Sequence, residues 1–136
     1  MSTLMEMNKH GLLLTNGYSD EIDDPMAELL QAQVADLTQA VDEAIVQAKR
    51  IGREVRDVKG RRERLCSVAE RGGHKVRRLA KEHREKLHRE LDESGSSSAS
   101  QVTLSVFDHN AGRAEQVLAA IGKGERLSDP VPGWRR

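Results

Sequence analysis

Sixteen lysines and arginines stand between residues 49 and 91, against seven aspartates and glutamates, a net charge of +9. Arginine outnumbers lysine there by eleven to five. The planar guanidinium binds phosphate oxygens in pairs, so this composition suits contact with a phosphate backbone. The side chains expected to carry that contact are Arg50, Arg53, Arg61, Arg64, Lys75, Arg77, Arg78, Lys81 and Arg84. No aromatic residue is interleaved with them, so base stacking has no platform. The expected binding is to phosphate and largely independent of base sequence. The same run also fits a solvated helix face or a surface for an acidic protein. Glu54, Asp57, Glu63, Glu70, Glu82, Glu85 and Glu90 are dispersed through it.

Other chemistry is poorly supported. His83 and His88 are five residues apart and His74 and His83 nine apart, so none forms the i,i+4 pair of a helical metal site. Gly122-Lys123-Gly124 lacks the spacing of a phosphate-binding loop. Asp108-His109 has no nucleophile motif beside it. No catalytic residue, metal or cofactor is expected, and the chain reads as non-enzymatic. The single Cys66 rules out an intramolecular disulfide framework and leaves only a bond between chains.

These basic residues must be positioned by helices. Two apolar seams alternate at spacings of three and four. One runs Leu30, Leu37, Ala44, Ile51, Val58, Leu65. The other runs Val34, Val41, Ala48, Val55, then Arg62 and Ala69. Ile45 widens the stripe. The pattern predicts an all-α protein built on one coiled-coil-type helix over 25–71. Leu30, Val34, Leu37, Val41, Ile45, Ile51, Val55, Val58 and Leu65 would be its oligomerisation seam, most simply in a dimer. Asp24 before Pro25 is a helix start, with an N-capping carboxylate and a residue whose missing N–H costs nothing there.

Gly72-Gly73 reads as a break, either a hinge or a hairpin turn. A second, basic helix follows over 74–94. A Ser-rich linker spans 95–101, and a small docking module 102–122. In that module Val102, Leu104 and Val106 alternate like a strand, and a short helix covers about 111–121. Residues 1–24 read as a flexible acidic segment, in which Gly11–Thr15 suits either a short strand or a partner-docking patch at Leu12–Leu14, and 123–136 as an extended tail. No run approaches the ~18 apolar residues of a membrane span. Mean hydropathy is −0.65. A reducing compartment is expected, either cytoplasm or a virion interior.

Net charge is zero, but residues 1–48 carry −8 and residues 92–136 carry −1. This asymmetry yields three expectations. The first is an oligomeric accessory protein that holds nucleic acid through 49–91. The second is a coiled-coil adaptor that organises protein partners. The third is self-assembly of acidic on basic halves.

Overall fold

The structure is a computed structural model that describes residues 5–15, 24–94 and 98–124. It is mostly helical, with one small hairpin. Strands β1 (Met5–Met7) and β2 (Leu13–Thr15) pair antiparallel, Glu6 opposite Leu14. Three helices follow: α1 (Asp24–Glu54), α2 (Val58–Ser94) and α3 (Ser98–Gly122). They pack up, down and up. Asp36 meets His83 and Glu43 meets Lys75, so α1 and α2 run in opposite directions. Arg77 meets Glu115 and Arg84 meets Asp108, so α2 and α3 do too.

α1 begins where the Asp24-Pro25 signal puts it. The long helix expected over 25–71 does not continue, however. It stops at Glu54, and α2 starts at Val58. Asp57 makes the break. Its carboxylate accepts the backbone N–H of Gly60 at 2.7 Å, capping a new helix. The apolar stripe of α1 is therefore covered by its own chain. Leu30, Val34, Leu37 and Val41 are buried inside the bundle, Ile45, Ile51, Val55 and Leu65 are half-buried, and Val58 is 65% exposed. The stripe expected to face a second copy is covered by helices of the same chain.

Gly72-Gly73 is no break either; both lie within α2. Gly72 is a packing residue. A Cβ there would fall 2.9 Å from Leu118 Cδ2 and 3.7 Å from Ala44, so its absence lets α1 and α3 approach α2 closely. The strand expected at 102–106 is the start of α3, and residues 98–101 of the expected linker belong to that helix. Thr103, Val106, Phe107, Asn110, Ala114, Leu118 and Ile121 are its buried face, a helical spacing that overrides the β-branched alternation. Residues 95–97 and the tail from 125 onward, with Trp134, lie outside the described residues. α3 ends near Gly122 as expected, with Gly124 at φ +78 and its N–H on Ile121 O at 3.0 Å.

The N-terminal segment expected to be flexible contains the hairpin, docked on α1 and α3. Leu12 is fully buried and Leu13 and Leu14 pack against the core, so the candidate docking patch is occupied by this chain. Polar groups seat it. Asn8 Oδ1 accepts the N–H groups of His10 (2.9 Å) and Leu12 (3.0 Å), while its Nδ2 donates to Thr38 Oγ1 at 2.9 Å. The turn passes through Gly11 at φ +84, where a Cβ would also meet Arg113 Nε at 2.7 Å. From α3, the buried Asn110 amide bonds both backbone groups of Leu13, accepting at 2.7 Å and donating at 2.9 Å. It also donates to Gln33 Oε1 at 3.0 Å, and Gln33 Nε2 donates to Phe107 O at 3.0 Å.

His10 Nε2 lies 2.6 Å from Asp42 Oδ1, and Lys9 Nζ 3.2 Å from Asp42 Oδ2. Partial burial pushes the Asp42 carboxyl up, but hydrogen bonds and charge from His10 and Lys9 outweigh it and hold it below its ordinary value of 3.8.

Two predictions follow from this packing. Gly52 has nothing within 4 Å of its missing Cβ, so Gly52→Ala should raise unfolding free energy by roughly 0.5–1 kcal/mol in urea titration. Gly72→Val should lower it by about 1–3 kcal/mol through overpacking; equal effects would refute a packing role for Gly72. Because the folded Asp42 carboxyl is depressed, its contribution is present above 3.8 and lost as pH falls below it. The methyl resonances of Leu12 should therefore report hairpin loosening in acid. In Asp42→Asn they should start loosened and change less over the same range.

Candidate nucleic-acid interface

The turn between α1 and α2 concentrates the basic run. Residues 49–64 hold eight lysines and arginines against Glu54, Asp57 and Glu63, a net +5 on sixteen residues. Lys49, Arg50, Arg53, Arg56, Lys59, Arg62 and Arg64 are exposed, and none has an ion pair among the described residues. The end of α3 reaches α2 near Cys66, whose Sγ lies 3.6 Å from Gly122 O, and a Cβ on Gly124 would fall 4.0 Å from Leu65 Cδ1. The seven residues of α2 before Leu65 thus extend about 10 Å past that contact. The basic side chains sit on a projecting two-helix corner, not along a rod.

Arg61 holds the corner in shape. Its Nε donates to Val55 O at 3.0 Å and its terminal nitrogen to Arg56 O at 3.2 Å. Carbonyls at the C-terminal end of a helix have no partner within it, so the guanidinium supplies what the backbone cannot. Arg61 N–H bonds Asp57 O at 2.9 Å, continuing the new helix. Arg61 is thus engaged with backbone, unlike its exposed neighbours.

The remaining sequence candidates divide. Lys75 pairs with Glu43 at 3.0 Å and Arg77 with Glu115 at 3.2 Å; Arg84 pairs with Asp108. The hydrogen bond and charge of Lys75 hold the exposed Glu43 carboxyl below the usual carboxylate range. These three side chains tie α2 to its neighbours. Arg78 and Lys81 stay exposed and without an ion pair among the described residues. The structure brings Arg50, Arg53, Arg61 and Arg64 to the corner, and sets Arg78 and Lys81 further along α2, about four to five turns from the corner's edge. Arg56, Lys59 and Arg62, absent from the candidate set, stand at the corner itself. The density of eight basic residues in sixteen positions was the signal for them.

Nothing else in the described structure assembles a reaction centre. Among the described residues, no group of three or more His, Cys, Asp or Glu side chains could hold a metal ion. His83 is buried with Nε2 2.7 Å from Asp36 Oδ2, and its Nδ1 has no partner among the described residues. Cys66 is exposed, with Sγ 3.6 Å from Gly122 O. No described helix is long and apolar enough to cross a membrane.

No family model, curated protein or solved structure matches this chain. If Arg61 and Asp57 hold the corner, Arg61→Gln should cost about 0.5–1.5 kcal/mol and Asp57→Ala about 1 kcal/mol in chemical denaturation. Arg56→Gln, one residue from the break but exposed, should fall within about 0.5 kcal/mol of wild type.

Proposed function

We propose that this protein is a non-enzymatic accessory protein that grips the phosphate backbone of nucleic acid through the α1–α2 corner. The observation that carries this reading is the density of charge at the corner: seven exposed lysines and arginines with no ion pair among the described residues stand within residues 49–64, whereas Lys75, Arg77 and Arg84 are tied to carboxylates along the bundle. Unpaired guanidinium groups on a projecting surface can reach phosphate without first breaking an internal bond. Binding releases condensed counterions and is therefore steeply salt-dependent. With no aromatic side chain in residues 49–64, recognition rests on charge and shape rather than on stacked bases. The surfaces an adaptor would offer to partners, Leu12–Leu14 and 102–121, pack their apolar sides against this chain's own helices.

Fluorescence anisotropy with a duplex oligonucleotide tests the proposal. Wild type should show a steep fall of log affinity with log salt between about 50 and 200 mM. Replacing Arg50, Arg53, Arg62 and Arg64 with Gln should make the slope shallower by roughly 3–4, near 0.9 per lost phosphate contact. Arg77→Gln with Arg84→Gln should leave the slope unchanged, since both arginines are engaged within the bundle. Equal slopes for wild type and the four-residue corner variant would refute the assignment.

A further inference from the structure

Ion pairs along the flanks join Asp42, Glu43, Asp108 and Glu115 to Lys9, Lys75, Arg84 and Arg77. Charges of both signs stand along α2 between residues 70 and 89, but the two ends of the bundle differ in sign. At one end stands the corner, with net +5 over residues 49–64. At the other, α1 begins and α2 finishes. Segments 24–28 and 90–94 carry Asp24, Glu28, Glu90, Asp92 and Glu93 and hold no lysine or arginine. The antiparallel pairing of α1 with α2 sets these two segments side by side. Glu28, Asp92 and Glu93 are exposed. The 37 residues of α2 separate the two ends by about 55 Å. A chain that is neutral overall thus folds into a rod with opposite charge at its ends.

We propose that the basic corner of one copy docks on the acidic end of a second copy. Charge complementarity selects this occupant, because the same chain carries both faces. The exposed Val58 adds apolar surface at the corner. The two faces differ, so the contact is heterologous; it leaves a free corner and a free acidic end, and growth continues as an open chain. Exposed ion pairs contribute little each, so the assembly is weak and salt-labile. Screening shortens from about 30 Å at 0.01 M salt to about 10 Å at 0.1 M, and it should remove the attraction. The docked corner is the surface proposed to hold phosphate, so the two contacts exclude each other, but self-docking does not depend on the phosphate reading.

Light scattering at about 200 μM protein tests this. At about 10 mM salt the weight-average mass should be at least twice the 15.1 kDa of one chain, and it should return to one chain at about 0.5 M. Asp92→Lys with Glu93→Lys should be monomeric at low salt; it places cations at a helix C-terminus, where they do not weaken the fold. Arg53→Glu with Arg62→Glu should be monomeric as well. Each variant keeps the face the other has lost, so mixing the two should restore a one-to-one pair. The proposal is overturned by a monomeric wild type at low salt, by association that survives high salt, by an acidic-end variant that assembles like wild type, or by a mixture that stays monomeric. Phosphate binding by the Asp92→Lys, Glu93→Lys variant, which retains the corner, reads the other proposal separately.

Discussion

The architecture depends on the reversal at Val55, Arg56 and Asp57. α1 presents a long apolar stripe that must be covered, and a stripe of that kind accepts any helix of suitable shape. Had the helix run on, another chain would have had to supply the cover. Asp57 starts a new helix and Arg61 satisfies the end of the old one, so the cover arrives tethered. A three-residue connection costs little closure entropy and avoids the larger loss of freedom in joining two molecules. Other features follow from that turn. Lys75 is delivered opposite Glu43 and His83 opposite Asp36, a groove is left between α1 and α3 for the hairpin, and the basic run is folded into a vertex.

Phe107 is the one aromatic side chain buried among the described residues. Ala40, Ala44 and Ala48 lie along the buried face of α1, and Gly72 meets that face from α2. Such a core brings backbones close but removes modest apolar area from water. Specificity is supported instead by buried polar groups with defined partners. Gln33 and Asn110 lock α1, α3 and the hairpin to one register, since any slip would strand an amide without its bond.

Much of the helix content was legible in residue types. The start at Asp24, the stripe from Leu30 to Ala48, the end of α2 near Glu93 and the face of Ala114, Leu118 and Ile121 all follow from caps and periodicity. The break was not, because the heptad pattern passes through residues 55–57 unaltered and marks only which face is apolar. Gly72-Gly73 has the composition of a turn, yet the pair serves close packing, and only the position of Leu118 reveals that. The alternation of Val102, Leu104 and Val106 suits a strand locally but was decided by the helical spacing of the residues after it. The basic run was legible as composition. Which of its members are free depends on Glu43, Asp108 and Glu115, whose proximity is a product of the fold.

The hairpin's attachment has a consequence for the order of events during synthesis. Leu13 is held by Asn110, 97 residues further along the chain. At roughly 5–20 residues per second, the first strands made wait about 5–20 s for the helix that receives them. During that interval the hairpin lacks Asn110, and Leu12 has no complete core to enter. The hairpin, made before the helices that receive it, is thus among the last elements to be placed, and it closes over the groove between α1 and α3 after both helices exist.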